Sequence, residues 1–314
     1  MRASLLAAVA LLACAGQARA GRYLLFTTQR SGSTWFCELL ERQPGVQCGV
    51  EGHGGQGQPS RISEMMIKYS YMKSRVVGGY DYSTVPWAKW RADCDAQWAR
   101  LTANHERHEI PNEIPAIGYK LMYNQVPPRL INEFIKYVVE ENISVVHLER
   151  EAVLLQVASR YQTKAGMMHD TNASSAAATR ASTPQLAIPF ATVERLIRAK
   201  LAEHRAWSDR LRYTPGVRYY HVAYEQLTGA AAENYLRSVM AFVLDKGVLD
   251  IDLSSLSMAS ELNMLHEASC RERVAPWLYA LVRKAFGGNS SEPRSVIGAC
   301  DVLDAREAAA QKKA

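Results

Sequence analysis

Residues Arg30 to Thr34, in the stretch FTTQRSGSTWFCELL, have the composition of an anion-binding loop. Gly32 lets backbone approach a ligand closely, while Ser31 and Ser33 carry hydroxyl groups that can donate hydrogen bonds. Arg30 adds a permanent positive charge. A loop that leads into a helix also presents backbone N–H groups without intrahelical acceptors, at the positive end of the helix dipole. Such a place binds phosphate or sulfate.

The same loop has a plainer explanation, because a polar turn before an ordinary capped helix would look similar. The nucleotide-triphosphatase pattern GxxxxGK[ST] is absent, and no acidic Mg²⁺ ligand is evident after a later strand. We therefore expect any anion here to be held by arginine and backbone groups, without a metal.

The surrounding pattern predicts an α/β fold in which this loop follows a buried strand. Residues 22–28 are apolar, and residues 33–43 carry apolar side chains at helical spacing up to Pro44-Gly45. Further strands are expected at 116–122, 143–148 and 217–223, helices at about 127–141, 152–163, 189–211 and 230–244, a glycine-rich loop at 45–60 and a mobile loop at 166–186. Because strands and helices alternate without an internal repeat, we expect one parallel-sheet domain with helices on both faces.

Arg150 and Ser159 form a second candidate anion site. Arg150 ends an apolar strand, where α/β sheets bind their ligands, and Ser159 follows on the next helix. Each residue also has an ordinary alternative. Arg150 can pair with Glu149 or Glu151, and Ser159 can hydrogen-bond a backbone carbonyl.

Four segments together resemble the sulfotransferases that use 3′-phosphoadenosine-5′-phosphosulfate (PAPS), most closely the bacterial trehalose sulfotransferase family. TTQRSGSTWFCELL resembles the family's 5′-phosphosulfate loop, with Arg30 where the cytosolic enzymes have lysine. GYKLMYNQ at 118–125 resembles the strand between the two nucleotide motifs, and VVHLEREAVLLQVASRY at 145–161 resembles the 3′-phosphate motif. HVAYEQLTG at 221–229 resembles the late strand and turn. The resemblance implies the P-loop-like sulfotransferase type of α/β fold.

The resemblance also implies which residues bind the donor. The positions matched to nucleotide-binding residues are Arg30, Ser31, Gly32, Ser33, Thr34, Trp35, Arg150, Ser159, Arg271 and Arg273. Arg30 would in addition stabilise the transferring group. Glu151 departs from the family, in which many members have a basic residue or Asn at this position. An acid so close to a phosphate site has to point away from it.

Transfer to a hydroxyl requires a base, because an alcohol is a poor nucleophile. In the trehalose family a glutamate at a matching offset past the loop serves as base, which implies this role for Glu51. His53 is the rival, since histidine is the base in the cytosolic enzymes and its pKa suits proton transfer near neutral pH. The segment EGHGG can also be no more than a solvated turn.

The N-terminus and composition bound the kind of protein. Residues 1–20 read as a secretory signal, with an apolar stretch too short to cross a bilayer comfortably and the cleavage pattern Ala18-Arg19-Ala20. We expect a domain at 21–303, a tail at 304–314 and a location in the secretory lumen, either the Golgi, where eukaryotes supply PAPS, or outside the cell. An uncleaved signal anchor is the alternative. Sequons that fit this location occur at Asn142, Asn172 and Asn289.

Cysteine usage also fits an oxidising compartment. The cysteines beyond the signal segment are Cys37, Cys48, Cys94, Cys270 and Cys300. Their odd number leaves at least one without an intramolecular partner. We expect Cys270 to pair with Cys300 and Cys37 to be a buried thiol.

Three residues outside the motifs have open roles. Trp87 and Trp90 are expected to fill core, with stacking on a sugar face as the alternative. Lys120 is either a salt-bridge residue or a site residue.

The sequence thus predicts a metal-free enzyme that moves a sulfuryl group from PAPS to a hydroxyl of a carbohydrate-type acceptor. The net charge of +6, without a dense Lys/Arg run, suits a small anionic ligand better than nucleic acid. The alternatives are a non-catalytic nucleotide- or glycan-binding protein with the same fold and, disfavoured by the missing loop lysine, a P-loop kinase. Oligomeric state is left open, and no membrane span is expected after signal cleavage.

Replacing Glu51 by Gln tests the base. We expect turnover of PAPS with a carbohydrate acceptor to fall by about 10²- to 10⁴-fold, because the proton acceptor is lost, while binding of the desulfated nucleotide is unchanged. His53→Gln is the matched comparison. Near-normal turnover of Glu51→Gln combined with a large loss in His53→Gln would reassign the base to the histidine.

Overall fold

The computed structural model describes residues 21–29, 31–43, 45–49, 85–106, 116–164, 187–228, 231–253 and 274–286. These residues form an α/β fold around a five-stranded sheet with the order β2-β3-β1-β4-β5. The strands are β1 (Gly21–Thr27), β2 (Val46–Gly49), β3 (Ala116–Met122), β4 (Ser144–Glu149) and β5 (Arg218–Ala223). Every neighbouring pair is parallel, so all carboxyl ends meet at one edge of the sheet.

The helices lie on both faces of this sheet. They are α1 (Ser33–Glu41), α2 (Trp87–Glu106), α3 (Ile131–Glu140), α4 (Val153–Lys164), α5 (Phe190–Tyr213), α6 (Tyr224–Leu227), α7 (Ala232–Leu244) and α8 (Pro276–Phe286). Short 3₁₀ turns at Tyr123–Gln125 and Pro128–Leu130 precede α3, and another at Val248–Asp250 follows α7.

Alternate side chains of β1 pack into two separate hydrophobic cores, one on each face of the sheet. Tyr23 and Leu25 pack with α1 and α7 on one face. Leu24 and Phe26 pack with α2, α3 and the C-terminal half of α5 on the other face. Each of these four side chains is fully buried, as expected for a central strand of a parallel sheet. The hydrophobic effect therefore fixes β1, and with it the position of the loop that follows.

The topology makes the carboxyl end of β1 a natural ligand site. The chain leaves β1 through α1 on one face, whereas β3 leads into α3 on the opposite face. A crevice opens where neighbouring strands send their connections to opposite faces, and α/β proteins bind ligands there. A third apolar cluster joins α4, the N-terminal half of α5 and α8.

The predicted elements are largely confirmed. Strand 116–122 has the predicted bounds, and the other predicted strands and helices agree within a few residues. The predicted loop over 45–60 is wrong at Val46–Gly49, which is an edge strand paired with β3. Val46 and Cys48 are buried there, so pairing and burial order a segment whose local composition indicates a loop.

The expectation that Cys37 is a free thiol is also wrong. Cys37 forms a disulfide with Cys48, with 5.5 Å between their Cα atoms, and so ties α1 to β2. The pairing arises because β2 returns to the sheet beside α1, which the sequence spacing alone does not reveal. Cys94 is a buried thiol. Cys270 and Cys300 lie outside the described residues.

The tryptophans of α2 fill core. Trp90 is 1% exposed, and its indole N–H donates to the carbonyl of Gln125 at 3.1 Å. Trp87 stacks on it with ring centroids 5.5 Å apart. These contacts confirm the core expectation for Trp90 and place Trp87 beside it.

Several predicted segments fall outside the described residues, namely the signal segment 1–20, the loop 166–186 and the tail 304–314. Among the helices that are described, none has both the length and the apolar character needed to cross a bilayer.

Gly118 is expected to be essential for the edge of the sheet. The ring of Tyr23 crosses over Gly118, and its hydroxyl donates to the carbonyl of Gln47 in β2 at 3.0 Å. A Cβ at position 118 would lie 2.3 Å from the ring, so Gly118→Ala should destabilise the fold by about 1–3 kcal/mol in denaturant unfolding. Gly21→Ala is the control, since its Cβ meets nothing closer than 3.6 Å. Equal stability of the two variants would contradict this account.

Candidate functional site

The loop after β1 presents free backbone amides at the carboxyl edge. Gly32 precedes α1 with φ +83° and ψ 10°, a left-handed conformation that favours glycine, and makes no side-chain cap. The amides of Ser33, Thr34 and Trp35 lie in the first turn of α1, where N–H groups lack intrahelical acceptors. Helix α1 has no acidic residue in its first turn that would compete with an anion. Arg30 lies outside the described residues.

A chain of hydroxyl groups fixes the start of this loop. The Thr27 hydroxyl lies 2.7 Å from the carbonyl of Leu148 in β4 and donates its single proton there. It therefore accepts from Ser31, whose Oγ lies 2.6 Å away. Both residues are fully buried. The Ser31 hydroxyl thus ties the loop to the sheet, and its predicted contact with a nucleotide reduces to its backbone N–H.

Two lysines reach this loop from opposite sides. Lys120 of β3 is 1% exposed, and its Nζ donates to Thr34 Oγ1 at 3.0 Å. Lys200 of α5 donates to the hydroxyl of Thr28 and also forms an ion pair with Glu203 at 2.7 Å. The structure therefore places the Lys120 ammonium beside the first turn of α1.

Tyr224, the first residue of α6, connects the loop to the second candidate anion site. A Cβ built on Gly32 would fall 2.4 Å from the carbons of the Tyr224 ring, so the ring lies directly against the glycine. Trp35 meets the same ring edge-on at a centroid distance of 5.8 Å. The Arg150 guanidinium lies over it, with Cζ 5.1 Å from the centroid.

Arg150 occupies the corner between β4 and α4 and is 5% exposed. Ser159 on α4 is 3% exposed. The backbone of this corner is held by Glu225, whose two carboxylate oxygens accept from the amides of Glu151 at 2.9 Å and Ala152 at 3.0 Å. These two amides are therefore occupied by the protein itself and are not available to an anion at this corner.

A buried polar cluster lies beneath Arg150. The Glu149 carboxylate accepts from His221 Nε2 at 2.9 Å and from Ser208 Oγ at 3.1 Å. His147 lies 3.5 Å and His204 lies 4.0 Å from the same carboxylate. Among the residues that the structure describes, no group of His, Cys, Asp and Glu is arranged to hold a metal ion.

Burial sets the protonation states in this cluster. Burial lowers the pKa of His147 to about 3, against the opposing charge of Glu149. Burial likewise lowers the pKa of His204. Burial alone would raise the pKa of Glu149, but the hydrogen bond from His221 and the neighbouring imidazoles outweigh it and bring the pKa to about 2. At neutral pH the cluster therefore holds an ionised Glu149 carboxylate beside neutral His147 and His204 imidazoles.

A small pocket opens beside the loop, between α4 and α5. It is lined by Gln29, Gln156, Val157, Arg160, Tyr161, Leu196 and Lys200. Gln156 is 2% exposed, and neither polar atom of its amide has a hydrogen-bond partner within the described ranges. The pocket thus contains polar and cationic groups next to the loop that follows β1.

The structure brings together most of the predicted site residues that it describes. Ser31, Gly32, Ser33, Thr34 and Trp35 surround the start of α1, and the ring of Tyr224 bridges Gly32 and Arg150. Arg30, Glu51, His53, Arg271 and Arg273 lie outside the described residues.

No sequence pattern predicted Lys200, Tyr224 or Glu225 as an individual site residue. Tyr224 and Glu225 lie in the segment HVAYEQLTG, which pointed to the region without identifying either side chain. Lys200 is one of many basic residues on α5 and carries no distinguishing local signal.

Comparison with protein-family models and with curated proteins finds no match to this chain.

The buried cluster predicts a loss of stability in mild acid. The folded pKa values of His147 and His204 lie below the ordinary value, so the unfolded chain binds protons first and stability falls as pH drops from about 6.5 toward 3. Glu149 adds to this loss below about pH 4.5. Each histidine contributes a slope of at most about 1.4 kcal/mol per pH unit.

Denaturant unfolding between pH 7.5 and 4.5 measures this slope. His147→Phe should be less stable than the wild type at pH 7.5. Its free energy of unfolding should fall less steeply toward acid, because one titrating group is gone. The same slope in both proteins would show that His147 is not held neutral.

Proposed function

We propose that this protein is a sulfotransferase that takes the sulfuryl group of PAPS and passes it to a hydroxyl of a carbohydrate-type acceptor. The observation that carries the proposal is the Tyr224 ring, which lies against Gly32 and under Arg150. Two anion-binding elements are thereby held side by side at the carboxyl edge of the sheet. A nucleotide with phosphates at both its 5′ and 3′ positions requires such a pair. The P-loop-like sulfotransferase type of fold is part of this proposal.

The donor would be held at both ends. The amides of Ser33, Thr34 and Trp35 and the positive end of the α1 dipole suit the 5′-phosphosulfate. Arg150 and Ser159 suit the 3′-phosphate. Trp35, which is half-buried, offers aromatic surface near the loop for the nucleoside.

Catalysis would rest on charge placed where the transition state develops it. Sulfuryl transfer builds negative charge on the leaving phosphate oxygen and on the sulfuryl oxygens, so donors already aimed at these atoms lower the barrier. The loop amides, the Lys120 ammonium and the predicted Arg30 guanidinium would serve this purpose. The Lys120 ammonium is fixed in position for this role because it donates a hydrogen bond to Thr34.

The acceptor would be deprotonated by Glu51, with His53 as the alternative. Glu51 follows Gly49, the last residue of β2, by two positions, so the chain leaves the sheet at the edge that carries the loop. In the sheet order β2 is two strands from β1, about 10 Å away. Glu51 and His53 themselves lie outside the described residues, so the base is proposed from the resemblance.

The Cys37–Cys48 disulfide supports a location in an oxidising compartment such as the secretory lumen. Asn142, one of the predicted sequons, is exposed at the turn before β4, which is compatible with glycosylation there.

Arg150→Ala tests the 3′-phosphate site. Titration calorimetry with 3′-phosphoadenosine-5′-phosphate (PAP) should show affinity about 30-fold or more below wild type, because a buried charged contact is lost. Affinity for adenosine 5′-phosphate, which lacks the 3′-phosphate, should be unchanged. Arg198→Ala on the exposed side of α5 is the control.

A labelled-donor assay across sugars, lipids and phenols tests the reaction itself. Transfer to a carbohydrate is expected. Binding of PAP without transfer to any acceptor would favour a non-catalytic nucleotide-binding protein. A wild type that does not bind PAP, or an Arg150→Ala variant that binds it as well as wild type, would overturn the proposal.

A further inference from the structure

The geometry points to Glu225 as the positioning residue for the 3′-phosphate site, an inference that rests on the proposed sulfotransferase function. Glu225 does not have to touch the nucleotide for this role. It holds the backbone immediately after Arg150 in one conformation, and thereby sets where the guanidinium lies.

Glu225 binds in a bidentate manner to two residues that lie far from it in the sequence. Its Oε2 accepts from Glu151 N–H and its Oε1 from Ala152 N–H, at 2.9 and 3.0 Å. These amides come directly after Arg150 and directly before α4, where N–H groups have no helical acceptor. A carboxylate at a helix N-terminus also interacts favourably with the helix dipole. One side chain from α6, directly after β5, thus fixes the corner that carries Arg150.

Glu225 is itself rigidly placed. It belongs to the short helix α6, which is closed by the bond from the Ala223 amide to Gln226 Oε1 at 2.9 Å and by the Thr228 amide to the Tyr224 carbonyl at 3.1 Å. The preceding side chain, Tyr224, is 3% exposed and packs against both Gly32 and Arg150. The Tyr224 ring therefore contacts the Arg150 guanidinium, while Glu225 holds the backbone that follows Arg150.

The opposite side of the corner is anchored as well. Glu149 precedes Arg150, and its carboxylate is bound by His221 of β5 and Ser208 of α5. Arg150 thus lies between two carboxylate anchor points, one made by its own strand and one supplied by Glu225. Only the second can be removed without disturbing the buried histidine cluster.

The same contact determines what can bind the phosphate. Because Glu225 occupies the amides of Glu151 and Ala152, the 3′-phosphate cannot use these two amides, and we expect it to depend on the Arg150 side chain. Loss of Glu225 would free these amides but would also release the backbone that follows Arg150. Positioning and simple charge repulsion therefore predict opposite effects on affinity.

PAP and adenosine 5′-phosphate titrations of Glu225→Ala and Glu225→Gln distinguish these effects. Gln keeps one of the two hydrogen bonds and Ala keeps none. We expect PAP affinity to fall about 3-fold in the Gln variant and about 10-fold or more in the Ala variant, with adenosine 5′-phosphate unchanged in both. Glu233→Ala on α7, which removes an exposed carboxylate paired with Arg237, is the control and should bind both nucleotides like wild type.

A readout without nucleotide keeps the test decisive. Hydrogen exchange of the amides of Glu151 and Ala152 should quicken in Glu225→Gln, the variant expected to retain the fold if the Ala variant does not. Unchanged exchange, tighter PAP binding in either variant, or equal losses for PAP and adenosine 5′-phosphate would each overturn the role. Wild-type PAP binding tests the proposed function, whereas the ratio of variant to wild type tests Glu225, so the two failures are distinguishable.

Discussion

The contact between the Tyr224 ring and Gly32 is the constraint on which the rest of the site depends. The ring lies so close to the glycine that a Cβ would fall 2.4 Å from its carbons, and the φ of +83° at Gly32 independently favours glycine. The Arg150 guanidinium lies over the same ring. One aromatic side chain therefore sets the spacing between the loop after β1 and the corner after β4. The parallel sheet brings both segments to one edge, and the Tyr224 ring determines the distance between them.

The acidic and the basic groups at this edge of the sheet have separate partners. Glu149 is bound by His221 and Ser208, and Glu225 is bound by two backbone amides. Both carboxylates are thus engaged by donors of the chain itself. The amides at the start of α1 and the lysine bound to Thr34 provide the positive potential beside them.

Local sequence predicted those parts of the fold that local physics determines. Continuous apolar runs identified β1, β3 and β4, and the glycine-serine loop before an apolar helix identified the turn from β1 into α1. Strand β2 was missed because its four residues are ordered by pairing with β3 and by the disulfide to α1. The contacts of Lys200 and Glu225 join positions far apart in the chain, and no periodicity encodes them. Sequence thus located the loop and the arginine, whereas the residues that hold them emerge only from the fold.

The most direct test of the central claim is a crystal structure of the protein with bound PAP. The account predicts the 5′-phosphate within about 3 Å of the amide nitrogens of Ser33 to Trp35 and the 3′-phosphate in contact with Arg150. The Tyr224 ring should lie between the two phosphate sites. A nucleotide bound away from this edge of the sheet, or an empty loop at saturating PAP, would contradict it.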